Sequence, residues 1–447
     1  MDIQDLESKL DNFDKKVRLQ TLGLLKKKVN ENEIAKAKKT RFTNLHCHTF
    51  HSFNAYGYSP SHVAWRAFKE GLEVIGIVDF DVLDGVDEIL EAGKILGIKT
   101  VAGIETRVFV KEYSDKVINS PQEKGVYYFI GSGFHREPEL KSNESKVLQK
   151  IKIMARDRNL YRLKKINALL HDVKIDYDKD ILPLTPAGNV TERHIFVALA
   201  NKAEKIYGKK TNKLIDFWAT KLHMENGKIS SVISNPPEFL ELIRSKLIKE
   251  ITTRNTETKR DNFPSLEEVI KMVESVGALP AAAWLDGIND GEKNIKALTE
   301  LLLKKGIRVL NIIPDRNWNI KNKEEKKIKV KNLDEVIKVA GELNLPVMAG
   351  TEMNKFGQRF VDDFTSPELS SYLEVFCNGA FFVYGHTQMA KSFEKGYNSQ
   401  WAEKYLPSYS KRNDFYIKVG KRMQPDKNYN IKEDALPSKI LDILKEE

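Results

Sequence analysis

Residues 43–52 read TNLHCHTFHS, a short apolar-leaning run that ends in three histidines. As a strand over 42–48, its period of two puts His46 and His48 on one face and Leu45 and Cys47 on the other. Two imidazoles two residues apart on one face can reach a single metal ion. A polar strand end whose histidines merely alternate would look the same, so the rest of the chain has to decide between the two.

Several strand-like runs come next, each ending in an acid or a histidine. LEVIGIVDFD (72–81) ends in Asp79 and Asp81, and IKTVAGIETRVFV (98–110) carries Glu105. VYYFIGSGF (126–134) leads into His135 and Arg136. Helices separate them, near 62–70, where Ser61 is a candidate cap and Gly71 a stop, and near 86–96. After Pro264 the alternation resumes through ALPAAAWL, IRVLNIIPD and LPVMAG, the last reaching Thr351 and Glu352. NGAFFVYGH (378–386), ending at His386, reads as a final strand. About seven or eight strand candidates joined by helices predict an α/β fold, a distorted (βα)7-type TIM-like barrel, with its site at the C-terminal strand ends.

A chain of 447 residues leaves room for more than the barrel. Residues 1–40 read as an N-terminal helical extension, 41–390 as the barrel with a helical insertion over 207–263, and 391–447 as a C-terminal accessory segment. Two cysteines, Cys47 and Cys377, make no disulfide framework, which fits a reducing, cytoplasmic setting. No stretch is long and apolar enough to span a membrane. The formal charge of +10 is spread over helices rich in both Lys and Glu. That pattern favours a solvated surface over a nucleic-acid stripe. The oligomeric state is not legible.

The gathered residues resemble the PHP family, the polymerase-and-histidinol-phosphatase domain. Its opening Asp-Leu-His-x-His-Thr stands here as Asn44-Leu45-His46-Cys47-His48-Thr49, followed by Ser52 and Gly71. Its Thr-Asp-His-Asp stands as Val78-Asp79-Phe80-Asp81, and its Gly-x-Glu as Gly103-Ile104-Glu105. Its helix histidine matches His194 in TERHIFVALANKA, and its late Gly-Ser-Asp-Ala-His stands as Gly350-Thr351-Glu352-Met353-Asn354. The resemblance implies a metal-dependent hydrolase, a phosphoesterase that turns a metal-activated water on a small anionic phosphate ester. It implies one or two divalent ions (Mn, Zn or Fe) on His46, His48, Glu105, His194 and Glu352, with Asp79 and Asn354 behind them. Phe80 and Trp284 replace histidines of the family pattern and would make the pocket more apolar.

Arg107 and Arg193 are candidates for neutralising phosphoryl charge, with Arg136, Arg316 and Lys355 as further ones. His135 and His386, after candidate strands, are candidates for acid or base. The GSG at 131–133 could wrap a phosphate, and His51 sits in a loop where it could gate the pocket. Two alternatives remain: a barrel that has lost its chemistry and serves as a scaffold, and a hydrolase of a non-phosphate substrate. A nucleic-acid processing role lacks any base-reading motif.

Overall fold

β-branched and small apolar residues supply seven short strands in the computed structural model, which describes residues 2–252 and 260–445. They are β1 (Thr43–Cys47), β2 (Val74–Phe80), β3 (Lys99–Phe109), β4 (Val126–Ser132), β5 (Leu279–Trp284), β6 (Val309–Ile312) and β7 (Val347–Ala349). All pair in sequence order within one sheet. β1 to β3 run parallel, as do β5 to β7, while β4 is antiparallel to both of its neighbours.

The ring closes just beyond β7. Glu352 N–H donates to His46 O at 2.7 Å, and His48 N–H donates to Glu352 O at 2.8 Å. A Cβ on Gly350 would stand 2.4 Å from the His46 nitrogen, so only glycine allows this approach. The α/β barrel expected from the sequence is therefore the fold.

Helices wrap the barrel. α1 (Ile3–Lys9) and α2 (Lys15–Asn30) precede β1, while α3 (Pro60–Glu70) and α4 (Val86–Leu96) link the first three strands. Between β4 and β5 lie α5 (Asn143–Leu169), α6 (Glu192–Tyr207), α7 (Asn212–Leu222), α8 (Asn226–Ile233), α9 (Pro236–Thr252) and α10 (Leu266–Ser275). α11 (Ile295–Lys305), α12 (Asp315–Trp318) and α13 (Lys323–Glu342) flank β6. The chain ends with α14 (Leu373–Phe393), α15 (Gln400–Tyr405), α16 (Tyr409–Arg422) and α17 (Pro437–Ile443).

Strand residues alternate between two cores. Ile75, Ile77, Ala102, Ile104, Ala282, Leu310 and Ile312 pack with the surrounding helices. Val74, Val78, Val101, Ala281, Ala283, Val309 and Met348 form a second core with α14, α16 and α17. The C-terminal helices thus cover the end of the barrel where the parallel strands begin. A Cβ on Gly379 of α14 would lie 1.8 Å from Val347 O, so that contact is backbone on backbone.

Four expectations change. The run at 378–386 is not a strand but the middle of α14, because a helix buried on all sides shows the same unbroken apolar run. β4 is reversed, so its first residues, not its last, reach the C-terminal end of the parallel strands. The helical insertion is wider than 207–263, since one apolar core runs from Leu163 of α5 to Ile251 of α9; residues 253–259 of that range lie outside the described ones. Ser59, not Ser61, caps α3 by accepting from His62 N–H at 3.0 Å.

Ser61 instead donates to Glu88 of α4, which also binds Arg18 of α2. The Arg18 guanidinium lies 5.0 Å over the Phe50 ring. Through it α2 is anchored against the loop after β1.

Candidate metal centre

His46, at the end of β1, and His48, just past it, are almost fully buried. Their Nε2 atoms stand 3.4 Å apart, and Glu105 Oε2 of β3 lies 3.2 Å from each. Among the described residues this is the one group of three or more His, Cys, Asp or Glu with ligand atoms all within 4.8 Å of one another.

Neighbouring residues decide which nitrogens face inward. Asn311 Oδ1 of β6 lies 2.6 Å from His46 Nδ1, which donates to it. Ser52 Oγ lies 3.2 Å from His48 Nδ1 and itself donates to Asp79 Oδ1 at 2.7 Å. Asp79 also accepts from the N–H and hydroxyl of Thr49, each at 2.7 Å. It therefore reaches His48 through Ser52 rather than directly. With both Nδ1 atoms protonated, two Nε2 lone pairs and a carboxylate converge on one point. Such a trio is one that could hold a divalent cation.

The electrostatics agree. Burial works against a charged His46, but the Glu105 carboxylate outweighs it and raises the imidazole above its ordinary value. Burial would raise Glu105 too, yet His46 and His48 together hold it down at about 2. Phe80 fills the other side of His48, its ring stacked at 4.3 Å.

Glu352 and its neighbour Met353 both take left-handed backbone, at φ 65° and 59°, a strained pair beside the site. The Glu352 carboxylate does not join the trio. Arg316 of α12 donates to its two oxygens at 2.8 and 3.1 Å, and Gln358 adds a bond at 3.2 Å. Burial opposes this charge, but Arg316 and His46 keep it below the usual carboxylate value.

His194 stays outside the trio as well. Its Nδ1 accepts from Thr191 N–H at 3.0 Å, its ring meets Phe53 edge-on, and burial pushes its pKa down to about 4. Asn189, just before α6, donates to His51 O and Phe80 O, so this loop rests on the rim of the site. Arg193 pairs with Glu241 at 3.1 Å, and Arg107 with Glu123 at 2.6 Å. Arg107 faces Tyr128 across the β3–β4 register. His51 is buried, and neither ring nitrogen has a hydrogen-bond partner among the described residues. Asn354 is buried just after the left-handed pair.

His135 and His386 must be withdrawn as candidates for the chemistry. They follow the reversed β4 and lie within α14, and so belong to the opposite end of the barrel. His386 packs against Gly133, takes a hydrogen bond from Tyr397 N–H at 2.9 Å, and burial with help from His135 pushes its pKa to about 3. The GSG at 131–133 sits at that end too, and Arg136 pairs with Glu139 on the surface. Trp284 does not line the interior either, since it packs with the outer core. Asn311 was missed, although it is the one polar residue inside the apolar run VLNII.

Residues 44–225 match the family model described as the PHP domain. It is 35% identical over 66 residues to a 5'-3' exoribonuclease from Haemophilus influenzae, an alignment covering 15% of this chain and 23% of that protein. It is 34% identical over 71 residues to an error-prone DNA polymerase from Cutibacterium acnes, covering 16% and 6%. The aligned part is thus less than a quarter of either relative. Among solved structures, a Bifidobacterium adolescentis protein designated by inference a metal-dependent phosphoesterase is similar at a TM-score of 0.44. Its identity is 19%, over 75% of this chain and 97% of that one. An amidohydrolase from Chromobacterium violaceum with bound sulfate and no metal gives 0.44 and 15%, over 75% and 96%.

Proposed function

We propose that the chain is a metal-dependent hydrolase that cleaves a phosphate ester of a small anionic substrate. The observation that carries this reading is the convergence of His46 Nε2, His48 Nε2 and Glu105 Oε2, with both imidazole tautomers fixed from behind. A divalent cation bound there would lower the pKa of water from about 15.7 towards 7 and polarise a phosphoryl oxygen. Glu105 supplies the charge that holds the cation, while Asn311 and the Ser52–Asp79 pair keep the rings aimed. Arg316 and Arg107 bring positive charge to the same end of the barrel, and Tyr128 lies beside them.

The same proposal treats residues 1–40 and 391–447 as accessory to a catalytic barrel over 41–390. It sets the protein in the cytoplasm, in keeping with two buried, unbridged cysteines. No described helix is long and apolar enough to cross a membrane.

The test is a screen of phosphomonoesters, phosphodiesters and cyclic amides with metal-loaded protein, beside Glu105→Gln. The short identity to an exoribonuclease is the reason for the diester arm. Turnover of a phosphate ester that drops by orders of magnitude in Glu105→Gln supports the assignment. Equal turnover in both proteins rejects these residues as its source, and cleavage of amides alone rejects the phosphate substrate.

A further inference from the structure

The Glu352 backbone is tied to both His46 and His48, so its carboxylate belongs to the rim of the trio. Its charge is felt by His46 and opposed by Glu105. Yet both oxygens already accept hydrogen bonds, from Arg316 and from Gln358. An acid held this way is the partner of a guanidinium, and becomes a metal ligand only if that pair is broken.

Arg316 is well placed for more than pairing. It follows β6, the strand whose Asn311 orients His46, and its side chain remains 45% exposed. Only one of its terminal nitrogens binds Glu352, which leaves other donors of the planar fork without a partner among the described residues. Its charge also acts on Glu105 and Tyr128, so it stands close to the trio. On the other side, Phe80 lies flat against His48 and offers no donor.

We propose that the Arg316–Glu352 pair takes the place of a second metal ion. The chain holds one divalent cation at His46, His48 and Glu105, and Arg316 is the second positive charge that grips the anionic oxygens of the substrate. Glu352 keeps the guanidinium aimed and does not ligate the ion. This rests on the hydrolase reading above and narrows it to a site of one metal and one arginine.

Two measurements test it without relying on turnover. Equilibrium dialysis against Mn²⁺ followed by elemental analysis should find one ion per wild-type chain. Glu352→Gln should keep that ion with affinity within a few-fold, whereas Glu105→Gln should lose it. Two tightly held ions in the wild type, or loss of roughly tenfold or more in affinity in Glu352→Gln, the size expected for a group that supports the metal, overturns the proposal.

Calorimetric titration of the Mn²⁺-loaded proteins with inorganic phosphate tests the arginine. Arg316→Gln should weaken phosphate by about tenfold or more, the scale of a lost hydrogen bond to a charged group, with one ion still bound. Arg316→Lys should recover part of it. Unchanged phosphate affinity in Arg316→Gln overturns the role of Arg316 alone. Phosphate that binds neither protein overturns the phosphoesterase reading along with it. Arg316→Gln removes the charged partner of the buried Glu352 carboxylate, so a thermal melt beside each protein checks that the fold is kept.

Discussion

Asn311 Oδ1 lies 2.6 Å from His46 Nδ1, so a strand on one side of the barrel chooses which nitrogen of a histidine on another strand faces the acid. Replacing it with leucine leaves that N–H buried without an acceptor. Asn311→Leu should weaken Mn²⁺ or Zn²⁺ binding by about 10–100-fold. Competition with a metal-binding dye reads this directly, and affinity equal to wild type would remove Asn311 from the site.

Asp362 is buried and accepts from Trp318 Nε1 at 2.9 Å with one oxygen, while the other has no hydrogen-bond partner among the described residues. Burial, only partly offset by Trp318, raises its pKa from 3.8 to about 7. The folded state then binds the proton more tightly than the unfolded chain. The contribution of Asp362 to stability should fall as pH rises from 3.8 to about 7. The slope over that window is at most about 1.4 kcal/mol for each pH unit. Asp362→Asn keeps the acceptor for Trp318 and removes the penalty. Its melting temperature should match wild type near the lower end of the window and exceed it above the upper end. A gap independent of pH would contradict this account.

Arg18 and Glu88 form a buried pair that joins α2 to α4. Arg18→Met strands the Glu88 charge and should cost about 3–5 kcal/mol in denaturant unfolding. The double variant Arg18→Met/Glu88→Leu should recover most of that loss. If the double variant is as unstable as the single one, packing against Phe50 rather than charge dominates.

His386 belongs to the barrel end opposite the metal trio. His386→Ala orphans Tyr397 N–H and should cost about 1–3 kcal/mol from that group alone. Its metal affinity should equal that of wild type. A drop in affinity would mean that the two ends of the barrel are coupled.

The first half of the site was legible because its signals are local. His46 and His48 share a strand face by period alone, and Glu105 stands at a corresponding strand end. What distance along the chain hides was not legible. Nothing in VYYFIGS says that it runs backwards, and that single reversal carried His135 to the wrong end of the barrel. Glu352 looked like a ligand because its partner Arg316 lies 36 residues away, in another connection. α14 looked like a strand because burial on every side erases the helical period.

Closure between β1 and the turn after β7 also sets a clock on assembly. His46 and His48 acquire their final geometry only when the backbone of Glu352 pairs with them, roughly 300 residues after they leave the ribosome, or about 15–60 s of synthesis. Until then the cysteine between them and both imidazoles are open to whichever cation or oxidant arrives first. The order in which the chain is made therefore sets when the complete trio can first exist.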